Sequence, residues 1–460
     1  MPSVAIQNLG CKVNQYESER IADSFESLGF ELRDFREPAD VYVINSCSVT
    51  ADADKKSRQT VSRACRQNPE AKVVLTGCFA QLALDTHEAV PGAALLVPND
   101  EKMRTASHVL AAFPELLPYS SSLGSSVLNY EGGAMFPESA PGGLIDPRSL
   151  LPKPAALHRT RATLKVQDGC EYFCSFCSIA YTRNKMASRP LADVLNEARR
   201  MADSGVREIV VTGVCVGAYG PETGSGGARL VDVLTQVADI EGIERVRLSS
   251  VQPVEVPDEM IDAIAAHPCI APHLHLSAQS GDDTTLRAMN RPYTSGYFAE
   301  KAARLREAIP NIGLTTDLIV GFPGETEEHF ENTLAFARSM RFARTHVFRY
   351  SPRQRTAAAD LIDDVPPAEK ERRHRLLTAV CTEAQNAFVA AQIGQVVGVL
   401  AESRGKAEGW LAGYTGNYTR VHFPSSQALR GRIVPVLLTE ATPEGEAIGT
   451  PVTDLPDSSK

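Results

Sequence analysis

The sequence predicts a multidomain α/β protein: an open parallel α/β sheet first, a partial six-unit β/α barrel second and a small β-barrel last. Three observations predict it. Short β-branched runs alternate with helix-length stretches through the first two regions, the pattern of βαβ units. A stretch rich in Ser, Gly and Pro, containing SSSLGSS and SAPGGLIDP, separates those regions and favours flexible chain over a packed core. After about residue 391 short strands alternate with turns and no long helix follows, which reads as an all-β barrel. At ~150 residues per domain, a chain of 460 residues accommodates this division. The expected boundaries are 1–118, a linker at 119–158, then 159–390 and 391–455.

In the first region the expected strands are VAIQNL (4–9), VYVINS (41–46) and VVLTG (73–77). The second holds six: ATLKVQ (162–167), REIVVT (207–212), RVRLSS (245–250), HLHLSA (273–278), GLTTDLIV (313–320) and THVFRY (345–350). Helix-compatible segments such as LADVLNEARRMADSG (191–205) and YFAEKAARLREAI (297–309) follow most of them. Six β–α units without a Rossmann glycine fingerprint favour a barrel, whose functional groups sit where strands end. In the third region QVVGVLAES, GWLAGYTGNYTRVHF and GRIVPVLLTEA supply the strands.

Lys plus Arg number 47 against 56 Asp plus Glu, a net charge of −9. That balance excludes a protein that coats nucleic acid by bulk charge, so RNA binding would need local basic patches and shaped sites. The opening MPSVAIQNLG lacks a basic segment followed by an apolar stretch, and no apolar run reaches the ~18 residues of a membrane helix. The expectation is a cytoplasmic protein. Its ten cysteines are then metal ligands, catalytic thiols or buried small residues rather than disulfides.

Cys170, Cys174 and Cys177 form CEYFCSFC directly after the first barrel strand and the turn Gln167-Asp168-Gly169. A strand-end loop directs such thiolates into the barrel mouth. Structural zinc normally takes four ligands, and no fourth Cys or His follows at zinc-finger distance. Three thiolates on a 4Fe–4S cluster leave one iron open, so iron–sulfur is favoured over zinc or packing. Cys11, Cys47 and Cys78 also follow expected strands, in NLGC, INSC and LTGC. The carboxyl ends of parallel strands line one crevice, so these three converge as a candidate second trio. Cys65, Cys269 and Cys381 read as packing residues, and Cys215 as a small residue in a tight turn.

CxxxCxxC with Phe176 before its last Cys, opening a six-unit barrel, resembles the radical S-adenosylmethionine (SAM) enzymes. The resemblance implies that the open iron binds the amino and carboxylate groups of SAM, and that one electron cleaves the sulfonium to a 5′-deoxyadenosyl radical. The chain outside the linker resembles the methylthiotransferases, which join an N-terminal cluster domain, a radical SAM barrel and an RNA-binding TRAM β-barrel. The phrases are LGCKVNQYESE, VYVINSCSVTADADKKSRQ, VVLTGCFAQ, KVQDGCEYFCSFC, LSAQSGDDTTLRAMNR, TTDLIVGFPGETEEHF and GYTGNYTRV. The wording around Cys11 and Cys47 is most similar to members acting on threonylcarbamoyladenosine beside a tRNA anticodon. Those acting on isopentenyladenosine or a ribosomal protein are less similar there. The implied reaction places a methylthio group at C2 of the adenine, using two 4Fe–4S clusters and SAM. Its partners are a tRNA anticodon stem-loop, an electron donor and a sulfur source. The alternative from another class is a zinc-containing RNA-binding protein.

Other strand ends supply SAM-binding candidates. Gly213 in VVTGVCVG lets backbone approach a ligand closely, and the resemblance implies contact with the methionine moiety. Gln279 in SAQSG and the GFPGET turn (321–326) are further candidates. In SSVQPVEV, relatives carry an acidic residue where Gln252 stands. The run GPETGSGG (220–227) lacks the Lys of a phosphate loop. For RNA, Lys55, Lys56, Arg58, Arg63 and Arg66 cluster after Cys47, placed for phosphate contact. Tyr414, Tyr418 and Arg420 combine rings with a cation, suiting base stacking. His273 and His275 share a strand face and are expected to hydrogen-bond rather than bind metal.

Overall fold

The computed structural model describes residues 1–117, 160–425 and 429–452, and the expected linker lies outside the described residues. The first unit runs β1 (Ser3–Asn8), α1 (Lys12–Ser27), β2 (Glu31–Arg33), β3 (Val41–Ser46), α2 (Ala51–Gln67), β4 (Lys72–Gly77), α3 (Cys78–Asp85), β5 (Leu95–Leu96) and α4 (Thr105–Ala112). Its five strands are all parallel, in the order β2-β1-β3-β4-β5. Every residue of VYVINS is buried, as a central strand covered on both faces requires. Val61, Ala64 and Phe79 pack on one face, and Ile21, Phe25 and Val109 on the other.

The second unit begins with β6 (Arg161–Asp168), α5 (Ile179–Thr182), β7 (Ala187–Ser188), α6 (Leu191–Asp203), β8 (Glu208–Gly213) and α7 (Leu230–Ala238). It continues through β9 (Arg245–Leu248), β10 (Ser250–Val251), α8 (Asp258–Ala266), β11 (His273–Leu276), α9 (Asp283–Ala288) and α10 (Ser295–Ala308). β12 (Gly313–Val320), α11 (Glu327–Met340), β13 (Arg344–Arg349) and α12 (Pro367–Ala390) complete it. The six expected barrel strands are present, and β12 matches its expected span residue for residue. The third breaks at Ser249 into β9 and β10, where the ladder divides into β7-β6-β8-β9 and β10-β11-β12-β13. A bridge between Val246 and Ile270 spans the division.

Period-two alternation sorts the barrel residues. Leu164, Val166, Ile209, Val211, Val246 and Leu274 pack into the main apolar core together with residues of the flanking helices. The alternate positions, Lys165, Glu208, Arg247, His273 and Thr315, are polar and buried. The barrel therefore encloses a polar interior.

The last unit comprises β14 (Val396–Arg404), β15 (Trp410–Tyr414), β16 (Arg420–Pro424), β17 (Ile433–Ala441) and β18 (Ala447–Pro451). It closes in the order β14-β15-β16-β18-β17 around Val399, Leu411, Phe423 and Val436. Its β15–β16 turn docks where the barrel strands begin. Arg247 donates to the carbonyls of Gly416 (2.8 Å) and Thr415 (2.9 Å). A Cβ at Gly313, the first residue of β12, would strike the Asn417 carbonyl.

Candidate active site

β1, β3 and β4 are neighbours in the first sheet, so their carboxyl ends bring Cys11, Cys47 and Cys78 side by side. Ser46 pairs with Gly77, which sets Cys47 next to Cys78. Gly77 has φ +91°, and a Cβ there would meet the Ser46 carbonyl, so only glycine fits this turn. Asn14 Nδ2 donates to Ser46 O (2.8 Å) and Asn45 Nδ2 donates back to Asn14 O (2.9 Å), fixing α1 and Cys11 to the end of β3. Burial pushes the Cys47 thiol up to about 11, and neighbouring Cys78 and Cys11 push the same way. Cys78 and Cys11 therefore lie near enough to act on the Cys47 thiol, and a metal centre would supply the missing positive charge. Gly77→Ala is expected to lose about half of the chain's iron, measured per purified chain, through strain of 1–3 kcal/mol order at this turn.

The second trio sits on a loop held from several sides. Gly169 turns at φ +84° against the Lys185 carbonyl, and Cys170 N donates to Arg183 O at 3.1 Å. Ser175 N donates to Met289 O (3.1 Å) and Ala358 N to Ser175 O (2.7 Å). Burial pushes Cys177 up to about 12, with Cys174 and Cys170 adding to it. Arg291 Nη1 donates to Cys174 Sγ at 3.1 Å, a contact that orients the side chain.

Cys215 departs from its expected role as a turn residue alone. Its thiol meets Glu255 Oε1 at 3.0 Å, and its hydrogen bond to Cys170 is the leading cause that holds Cys170 down at about 7. The turn after β8 simply carries it to the same strand-end rim. By contrast Cys65 donates to the Gly92 carbonyl, Cys381 is buried in α12, and Cys269 packs on the core.

Among the described residues no three His, Cys, Asp or Glu groups lie close enough to hold a single ion. A zinc site would need such a set. A 4Fe–4S cluster spreads its thiolates over separate irons, and two loops that each bring cysteines near a buried thiol, at Cys47 and at Cys177, fit that group.

The two cysteine loops meet. Ser178 Oγ, one residue after Cys177, donates to the carbonyl of Ser48, one residue after Cys47, at 3.1 Å. Arg353 Nη2 clasps the same joint through Ser48 O (2.9 Å), Ser48 Oγ (2.8 Å) and Asp54 Oδ2 (2.6 Å). Deeper in the interface Glu17 of α1 accepts from Lys102 (2.7 Å), Lys165 (2.7 Å) and both Arg183 amino groups (2.9 Å each). Arg291, Ser48, Ser178 and Glu17 carried no distinguishing signal, although each lies within or beside a quoted motif.

Phe176 packs partly buried against Met289, Phe322 and Tyr350. A Cβ on Gly213 would crowd Gln167, whose Oε1 accepts from Cys215 N, so the glycine lets Gln167 pack against the turn after β8. Gln279 holds φ +69°, a left-handed conformation that is costly outside glycine. Bonds to Asp317 O and from Ile319 N, both 2.8 Å, pin it. The GFPGET turn is internally committed, since Gly321 N donates to Glu325 and Glu325 pairs with Arg373 (2.8 Å). The Gln252 side-chain oxygen is buried without a partner.

The structure corrects the expected aromatic surface on the last barrel. Tyr418 is sandwiched between Tyr414 (4.7 Å) and His273 (4.6 Å), and Arg420 faces Glu446 at 3.6 Å. The Tyr418 ring closes the floor of the middle barrel, where the β15–β16 turn docks. On α2, Arg58 pairs with Glu88 and stacks on Phe79, whereas Lys55 and Lys56 are exposed. His273 and His275 share Thr315 Oγ1 as hydrogen-bond partner, at 3.1 and 3.0 Å.

Residues 164–337 match the Radical SAM superfamily, and residues 3–97 match a family described as Uncharacterized protein family UPF0004. Over 445 residues the chain is 37% identical to the threonylcarbamoyladenosine tRNA methylthiotransferase MtaB of Bacillus subtilis (strain 168), covering 96% of this chain and 94% of that one. The chain belongs to the radical SAM methylthiotransferase family. This methylthiotransferase is also 36% identical to the MtaB of Thermotoga maritima, covering 92% of each. It is 36% identical to the tRNA-2-methylthio-N(6)-dimethylallyladenosine synthase of Bordetella petrii, over 95% and 89% of the two chains. In fold it is similar to the radical SAM methyltransferase TsrM from Kitasatospora setae, solved with cobalamin and a [4Fe-4S] cluster, with TM-score 0.53 and 15% identity over 78% and 77%. As a radical SAM methylthiotransferase similar to tRNA-modifying relatives, the chain uses 4Fe–4S clusters with SAM and acts on tRNA, which sets aside the zinc-containing binding protein.

Proposed function

We propose that this methylthiotransferase converts N6-threonylcarbamoyladenosine next to the tRNA anticodon to its 2-methylthio derivative. Cys170, Cys174 and Cys177 hold one cluster, and Cys11, Cys47 and Cys78 hold the other. The observation that carries the reading is the Ser178–Ser48 hydrogen bond of 3.1 Å, which joins the two cysteine loops at one chamber. When bound, the barrel cluster supplies the electron that cleaves SAM and the sheet cluster presents sulfur, chemistry that no side chain provides. An aromatic C–H is too strong and too weakly acidic for removal by a side-chain base, so the protein's work is to hold and orient. Arg291 steadies Cys174, the backbone turn at Gly213 meets the methionine moiety, and Phe176 and Gln279 shape the rim. Lys55 and Lys56 offer phosphate contacts beside the chamber, with Arg58 bracing their helix.

The acceptor follows the threonylcarbamoyladenosine enzymes, which the chain resembles at 37% and 36% identity over nearly its whole length. The reaction also requires an electron donor and a sulfur source. We place it in the cytoplasm with its tRNA, and no helix among the described residues is long and apolar enough to cross a membrane. Mass spectrometry of tRNA nucleosides from cells with and without the gene tests the acceptor. Deletion is expected to remove the methylthio mark from threonylcarbamoyladenosine. Loss from isopentenyladenosine instead would overturn the assignment.

A further inference from the structure

Inside the radical barrel lies a cavity of about 260 Å³ that no cysteine lines. The Tyr418 ring closes its floor, and Lys12, the residue after Cys11, enters from the first unit. Arg344 and Asp317 contribute from β13 and β12. Asp317 Oδ2 already lies 3.3 Å from His275 Nε2. Neither Lys12 nor Arg344 has a carboxylate within 4.0 Å among the described residues. Two polar atoms on the same wall also lack partners: Ser249 Oγ and His273 Nδ1, on side chains that are 7% and 5% exposed. Buried polar atoms left unpaired in a native fold call for an explanation. Two cations without counter-ions beside two orphaned hydrogen-bonding groups describe a receptor for a small anionic group with further polar atoms.

We propose that Lys12 is the specificity-determining residue of this enzyme, pairing with the carboxylate of the threonylcarbamoyl group on the target adenosine. The proposal rests on the acceptor reading above. The threonylcarbamoyl substituent ends in a carboxylate and a hydroxyl, and a dimethylallyl group has neither. Lys12 is fixed one residue from Cys11, so a substituent anchored on its ammonium is held at a set distance from the sheet trio. Arg344 lines the same cavity and reinforces the field, and Ser249 and His273 lie within it to meet the remaining polar atoms. Sites built to bond a polar substituent reject analogues lacking it, because their own groups are then left unpaired.

The test is a cycle with a change on each partner, read by fluorescence anisotropy with anticodon stem-loop RNAs and the cluster-loaded enzyme. One RNA carries threonylcarbamoyladenosine and a second its neutral carboxamide. Wild type is expected to bind the carboxylate RNA about 10- to 100-fold more tightly, the range for a charged hydrogen bond. Lys12→Met should bind the two alike, and Lys12→Arg should recover most of the preference. A Lys12→Met protein that keeps the full preference overturns the Lys12 assignment and leaves the acceptor standing. A third RNA, carrying isopentenyladenosine, separates the two readings. If wild type binds it as tightly as the carboxylate RNA, both are overturned. Because the carboxamide arm uses unaltered protein, equal binding there defeats the carboxylate contact whether or not the variants fold.

Discussion

Cys174→Ala is expected to abolish both SAM cleavage and methylthiolation, whereas Cys47→Ala keeps SAM cleavage and loses only the product. Cys174 is buried and accepts from Arg291, so the alanine variant removes both the sulfur and the contact that orients it. Loss of even an outer-shell partner of a metal ligand typically costs 10–100-fold, so losing the ligand itself should lower both outputs by more than about 100-fold. Cys47 follows β3 of the first sheet, so its removal leaves the CEYFCSFC loop and its contacts to Met289 and Ala358 in place. 5′-Deoxyadenosine release should then stay within a few-fold of wild type, while methylthio product falls below detection. Both are read from one reaction by liquid chromatography and mass spectrometry under a chemical reductant. Iron per chain should drop from about eight to about four in each variant. Full methylthiolation by Cys47→Ala would remove the sheet trio from the reaction.

The parts of this site that lay open in the sequence share one property. They are fixed by local chain geometry. A cysteine one to three residues beyond a β-branched strand end is placed by the strand itself, so NLGC, INSC and LTGC set Cys11, Cys47 and Cys78 at neighbouring strand ends, and the start of CEYFCSFC sets Cys170 at the end of β6. The same logic located β12, because GLTTDLIV is bounded by chain that favours turns. What escaped is set by docking between units. Nothing in GNYTRV says that Tyr418 will stack on His273, because that contact exists only once the last barrel closes the floor of the middle one. Its ring and its neighbour Arg420 looked free for RNA for that reason. Cys215 was misjudged on similar grounds, since its turn is legible but the approach to Cys170 and Glu255 depends on barrel curvature. Lys12 sits beside a ligand in every reading, yet the cavity that surrounds it is walled by strands more than 200 residues away in the chain.

Glu17→Gln is expected to be the most damaging change outside the cysteines, because it uncouples the sheet from the barrel. Glu17 is 1% exposed and is bonded by Lys102, Lys165 and Arg183, with Asp168 the other carboxylate in the group. Burial opposes its charge, but Arg183, Lys102 and Lys165 hold its carboxyl well below the usual carboxylate range. Asp168, likewise buried, is held down at about 2 by Lys165 and Arg183. Neutralising Glu17 leaves three buried cations around one carboxylate, and breaking such a set costs about 3–5 kcal/mol. Urea unfolding at pH 7 should show that loss in the transition that separates the first unit. The pH dependence has a definite sign. Both carboxyls are depressed in the folded state, so their contribution is complete above the unfolded value of about 4 and is lost as pH falls towards about 2. The gap between wild type and Glu17→Gln should therefore narrow on titrating from pH 5 to pH 3. In catalysis the variant should still cleave SAM while transferring little sulfur, since its barrel cysteines are intact and their facing partners are displaced. A variant within about 1 kcal/mol of wild type at pH 7 would mean that the Ser48–Ser178–Arg353 joint alone suffices to hold the two trios together.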